Sequence, residues 1–84
     1  MVLARFVRHG RLVSIPTNQS KRVVVLAHVA QEFEPGRRYS ESMVNLILAR
    51  WYPDTATLRR CLVDEGLLDR AAGEYWRSGG PVPV

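Results

Sequence analysis

The side chains best suited to hold another molecule in this chain are arginines. Arg59 and Arg60 stand side by side in a stretch, 54–64, whose apolar spacing is helical. A guanidinium carries five N–H donors in a fixed fork, which fits a phosphate or the acceptor edge of a guanine. Thr57 lies one turn before Arg60, so the stretch has the side-chain types of a helix lying in a DNA major groove. Arg70 and Arg77 follow in a hairpin-like pattern, and two earlier pairs, Lys21-Arg22 and Arg37-Arg38, have the chemistry to anchor backbone phosphates. The same residues admit structural roles. Arg60 stands one helical turn before Asp64, Arg59 has Glu41 and Glu65 as possible partners, and Asp64 on the same outward face would repel phosphate.

Other chemistry is poorly supported. His9, His28 and Cys61 are far apart and lack metal-ligand spacing. No glycine-rich phosphate loop, carboxylate pair or Ser/His/Asp arrangement stands out. The reading is of a non-enzyme acting without cofactor or metal.

Eighty-four residues suffice for one small domain, and 46% hydrophobic residues exclude a wholly disordered chain. Twelve Lys and Arg against eight Asp and Glu leave a net charge of +4, which favours polyanions. The excess is uneven: up to Arg50 the chain is clearly basic, and beyond it acids and bases nearly cancel. The single cysteine, Cys61, forms no internal disulfide, which suits a cytoplasmic location. Arg5, Arg8 and Arg11 break the apolar run that a signal peptide needs, and no stretch reaches membrane-spanning length.

The elements that must position the arginines follow from apolar spacing and stop signals. Residues 3–15 read as extended, with a turn at His9-Gly10 and with Val13 and Ile15 on one face, closed by Pro16. A first helix is expected over 21–34, capped by Thr17 or Ser20, with Val23, Leu26, Ala30 and Phe33 inward. Pro35-Gly36 ends it, leaving Arg37-Arg38 in a loop. A second helix runs from the cap Ser40 to about Trp51, with the stripe Val44, Ile47, Leu48, Trp51. A third starts at the cap Asp54. Leu58, Cys61 and Leu62 point inward, while Ala56, Thr57, Arg60, Val63 and Asp64 point outward. Gly66 stops it, and strands 68–70 and 74–77 flank a turn at Ala71-Ala72-Gly73. Tyr75 and Trp76 then face opposite sides of the hairpin. Residues 78–84 are too rich in Gly and Pro to pack and are expected to be a flexible tail.

Three helices followed by a hairpin is the order of a winged helix. The expected class is therefore α+β, mainly helical: one winged-helix-like domain over 1–77, with a short N-terminal strand.

Gly10-Arg11-Leu12, Ile15-Pro16, Lys21-Arg22, Phe33-Glu34, Tyr39-Ser40-Glu41, Thr57-Leu58-Arg59-Arg60, Gly66-Leu67-Leu68 and Tyr75-Trp76-Arg77 together resemble the bacterial domain-of-unknown-function family 2087. The resemblance implies a winged-helix-like module linked to transcriptional regulation, and no assigned chemistry. Three positions depart from the family pattern. Met43 stands in place of an acidic residue, Tyr52 in place of a histidine, and Cys61 in place of a glutamate. Each is less polar than the family's residue.

Two functions fit these residues. In the first, the chain is a dimeric, cytoplasmic DNA-binding or transcription-regulatory protein. Its helix 54–65 reads double-stranded DNA through Thr57, Arg59 and Arg60, while Lys21, Arg22, Arg37, Arg38, Arg70 and Arg77 hold phosphates. In the second, it is a protein-interaction or dimerisation module of the same shape with no DNA contact, using Val63 and the aromatic hairpin.

Overall fold

The three longer helices each begin where a side-chain oxygen can accept from the free N–H groups of a first turn. The computed structural model describes residues 2–78, which form four helices and two small antiparallel sheets.

The N-terminus departs from the extended reading. Val2–Phe6 coil into a one-turn helix, α1, whose Val2, Leu3 and Phe6 lean on the core. The expected hairpin shrinks to β1 (Val7–Arg8) and β2 (Arg11–Leu12) around His9-Gly10, both with positive φ (54° and 73°). No strand covers Val13 or Ile15, and Val13 is exposed.

Helix α2 spans Gln19–Ala30. Its cap is neither Thr17 nor Ser20 but Asn18, whose Oδ1 accepts from the Lys21 N–H at 3.1 Å. The helix ends before residue 34 because the chain tightens: Phe33 N–H donates to the Ala30 carbonyl at 3.1 Å. That tighter turn still drives Phe33 into the core. The buried face is Val25, Leu26, Val29 and Ala30, with Val23 only half-buried.

A strand absent from the sequence expectation follows. Arg38–Ser40 form β3, so Arg38 lies in a sheet rather than a loop. Tyr39 anchors it: the side chain is buried, its hydroxyl accepts from Glu34 N–H at 2.9 Å, and its ring meets Phe33 edge-on at 5.1 Å. Ser40 then caps α3 (Glu41–Ala49), as expected, by accepting from Met43 N–H. The chain beyond Ala49 stays turned, and Trp51 is buried with Val44 and Leu48, while Ile47 is half-buried.

Helix α4 (Thr55–Asp64) starts at Asp54, whose Oδ1 accepts from Thr57 N–H at 3.1 Å. It ends at Gly66, with φ 74°. There Leu67 N–H reaches the Leu62 carbonyl at 2.9 Å and Gly66 N–H the Val63 carbonyl at 3.0 Å, the paired bonds of a Schellman stop. Leu67 and Leu68 drop into the core. Leu68–Ala71 (β4) and Glu74–Arg77 (β5) then pair across Ala72-Gly73, whose φ values of 52° and 78° fit a two-residue type I′ turn. Val63, expected to point outward, is instead half-buried against the core.

The larger sheet has the order β3-β5-β4. Tyr39, Tyr75 and Arg70 form one cross-strand row, and Arg38, Trp76 and Asp69 the next. The first row faces the helices, where Tyr39 and Tyr75 are buried, and the second faces away. Ser78 continues the hairpin by bonding to the Gly66 and Leu67 carbonyls. The rest of the expected tail, 79–84, lies outside the described residues.

Candidate nucleic-acid interface

Helix α4 and strand β4 leave a cleft of about 200 Å³ between them. Ala56, Arg60, Val63 and Asp64 line it from the helix, Arg70 and Tyr75 from the sheet, and Arg59 from the flank. Strand alternation sorts the hairpin's charges. Arg70 shares the inner face with Tyr75, whereas Asp69 and Glu74 fall on the outer face with Trp76. Summed along the sequence the hairpin is neutral, but towards α4 it is basic.

The arginines divide by what they already hold. Arg59 is largely covered, with 20% of its side chain exposed. It donates to Asn45 Oδ1, lies 3.9 Å from Glu41 Oε1, and sits 6.0 Å from the Tyr75 ring centre. The same Glu41 oxygen accepts from the Tyr75 hydroxyl at 2.9 Å. Glu41 and Asn45 are one turn apart on α3, so this cluster ties α3, α4 and β5 together. Arg22 is likewise engaged. It reaches Glu65 Oε1 at 3.2 Å, the Thr17 carbonyl at 2.9 Å and the Pro16 carbonyl at 3.4 Å. Arg77 donates to the Phe33 carbonyl at 3.4 Å from a half-buried position.

Arg60 and Arg70 differ. Both are exposed, and neither belongs to an ion pair: among the described residues those pairs are Arg22–Glu65 and Arg59–Glu41. The intrahelical Arg60–Asp64 pair open to the sequence does not form. Asp54 is occupied as well, since its second oxygen accepts from Thr57 Oγ1 at 2.7 Å. Those two bonds, the hydroxyl's first, hold the Asp54 carboxyl below the ordinary aspartate range, with the Arg60 charge adding to them. Thr57 is therefore part of the cap, although its side chain is exposed on the face that carries Arg60. The Tyr75 hydroxyl raises the affinity of Arg70 for its proton, and the Glu41 charge adds to that.

The other basic pairs lie elsewhere. Arg38 stacks over Trp76 at 3.9 Å and Arg37 over Tyr39 at 4.9 Å, on the β3 edge of the sheet, with β5 separating them from β4. Lys21 lines a shallow concavity with Arg5 and Arg8 beside α1. The nine arginine, lysine and threonine candidates thus form no single patch; Thr57, Arg59, Arg60 and Arg70 share one end of the molecule. Of the two partners the sequence offers Arg59, the structure pairs it with Glu41 and not with Glu65; Asn45 and Tyr75, which complete the group that fixes it, were missed. The one-turn spacing of Glu41 and Asn45 was the signal that could have added Asn45 to that pair.

Cys61 is half-buried on α4, and burial pushes its thiol up above the ordinary cysteine range, against the lowering effect of nearby Arg22. Among the described residues no three His, Cys, Asp or Glu side chains are placed to hold a metal ion, and no helix is long and apolar enough to cross a membrane.

These features define a small α+β protein, with helices packed against a three-stranded antiparallel sheet and an arginine-lined cleft at one end. The chain belongs to the bacterial family DUF2087, described as an uncharacterized protein conserved in bacteria, whose model matches residues 11–77. Helix α1 and strand β1 precede that matched span. No curated protein and no solved structure matches the chain.

Proposed function

We propose that the chain is a small winged-helix DNA-binding or transcription-regulatory protein, with α4 as recognition helix and the β4–β5 hairpin as its wing. The observation that carries this reading is the placement of Arg60 and Arg70, two unpaired guanidiniums on opposite walls of the α4–hairpin cleft. The element order supports it too. The edge strand β3 enters between the first two long helices and joins the hairpin in the order β3-β5-β4, which brings the wing beside α4. Thr57 and Ala56 complete the exposed face of α4. Lys21, Arg37 and Arg38 are secondary phosphate anchors, and Arg22, Arg59 and Arg77 act through the fold. Dimerisation would place two such helices on successive half-sites.

Titrating duplex DNA at several salt concentrations tests the reading. Binding should weaken as salt rises, and Arg60→Ala should lower the log–log slope by about 0.9, the share of one neutralised phosphate. Absence of binding at low salt would overturn it.

The interaction-module reading keeps one specific support. Met43 and Leu46, one turn apart on α3, are 42% and 67% exposed. Val63 and Trp76 no longer support it, because Val63 packs on the core and Trp76 is half-covered by Arg38. Sedimentation of Leu46→Glu against the parent chain decides. A concentration-dependent dimer that disappears in the variant, with no DNA binding in either, favours the module.

A further inference from the structure

We propose that the α4–hairpin cleft is a discrete oxyanion site that takes one phosphoryl group between Arg60 and Arg70. The site stands whether or not the protein reads DNA. Three observations lead there. The cleft is small, about 200 Å³, which is room for one tetrahedral oxyanion with some water rather than for an extended ligand. Its two unpaired guanidiniums come from different elements, one from a helix and one from a strand. They approach the space from opposite walls, as a clamp on one anion requires. The nearby acids are accounted for: Glu41 is held by Tyr75 and Arg59, Asp54 by Thr57, and Asp69 and Glu74 lie on the far face of the sheet. On the cleft wall Asp64 is the one acid against Arg60, Arg70 and, from the flank, Arg59, while Glu41 acts on Arg70 from outside it.

The floor is built to hold those positions. Tyr75 is 2% exposed and its hydroxyl is fixed on Glu41, so the row that carries Arg70 cannot shift without breaking that bond. Arg59 lines the cleft from its flank but is committed to Asn45, so it adds chiefly to the positive field there. Guanidiniums are weakly hydrated and match tetrahedral oxygens with paired N–H donors, so a phosphoryl dianion is favoured over chloride or a single carboxylate. That group could come from a DNA backbone or from a free phosphorylated small molecule.

The test is an NMR titration of the whole chain with inorganic phosphate at constant ionic strength, reading the guanidinium Nε signals of Arg60 and Arg70. Saturable shifts of both are expected. Arg60→Ala and Arg70→Ala should each weaken binding at least several-fold, while Arg5→Ala, which removes a charge beside α1, leaves it unchanged. Non-saturating shifts, or equal weakening by Arg5→Ala, would overturn the site by showing general charge attraction only. Duplex DNA added at half-saturation then separates the sources. Displacement of phosphate identifies a backbone phosphate as occupant. Phosphate retained, with or without DNA binding elsewhere, identifies a free phosphorylated ligand. Because phosphate binding is read without DNA, the site and the DNA reading fail separately.

Discussion

Arg22 Nη2 lies 3.2 Å from Glu65 Oε1, joining the first turn of α2 to the C-cap of α4 across 43 residues of sequence. The same guanidinium also bonds the Thr17 and Pro16 carbonyls, so one side chain fastens the entry to α2 and the exit of α4. Their side chains are 25% and 10% exposed, which spares the pair much of the screening that makes surface ion pairs weak. Arg22→Ala and Glu65→Ala should each cost about 1–2 kcal/mol, with a coupling of about 1 kcal/mol in a double-mutant cycle. Urea denaturation measures this. Additive single effects would mean that the two side chains act independently.

The β4–β5 turn offers a gain in stability. Ala72 has φ 52°, a left-handed conformation that costs a residue with a Cβ about 1–2 kcal/mol. Asn tolerates this region through local hydrogen bonding, and Asn-Gly is the preferred pair for such a turn. Ala72→Asn should stabilise the domain by about 1 kcal/mol and raise its melting temperature by about 4–8 °C. Calorimetry checks it, and an unchanged or lower melting temperature would refute the turn assignment.

That turn also shows where sequence stops informing. Gly66 and Gly73 announce their stops because glycine occupies positive φ at little cost. Ala72 gives no such sign; its conformation is imposed by the pairing of Leu68–Ala71 with Glu74–Arg77. Asp54 and Ser40 were readable as caps because each acts within one turn of chain. Strand β3 was not, since three residues carrying one arginine and one buried tyrosine have no period to detect, and their partner Tyr75 lies far along the chain. The arginines behave alike. Their types suggested anion chemistry, but whether each was free depended on Glu65, Asn45 and Glu41, which only the folded chain brings near.

The Asp54 cap predicts a pH dependence. Its carboxyl is held low by Thr57, first through the hydroxyl and then through the backbone N–H. A carboxyl lowered on folding contributes stability that is complete above its unfolded value, about 3.9, and is lost as pH falls through the folded value. Asn at this position can cap without titrating. The parent chain should therefore lose stability relative to Asp54→Asn as pH drops below about 4, with little change between pH 5 and 7. Urea midpoints across pH 3–7 measure it; a parallel decline of both chains would place the acid sensitivity elsewhere.

Cys61 should be a quiet thiol. Burial raises it and outweighs the lowering by Arg22, so little thiolate is present at neutral pH. Alkylation at pH 7 should be slow in the native state and should speed up in denaturant, as followed by mass spectrometry. Equal rates in both states would show that α4 opens freely.

Arg59 and Arg60 are neighbours in sequence but should behave as opposites. Arg59 is committed to Asn45 Oδ1 and stands by Glu41, whose oxygen also receives the Tyr75 hydroxyl. Removing it leaves the half-buried Asn45 amide oxygen short of its donor and takes the opposing charge from beside Glu41, at a cost of about 1–2 kcal/mol. Arg60 touches none of these groups, and its removal should leave stability within about 0.5 kcal/mol of the parent. On duplex DNA the order reverses. Arg60→Ala lowers the salt slope by about 0.9, whereas Arg59→Met, once folded, keeps the parent slope. Denaturation and salt-dependent binding, measured on the same two variants, read both effects. If Arg59→Met lowers the slope as much as Arg60→Ala, Arg59 leaves its network to meet phosphate, and the division between fastening and contacting arginines fails.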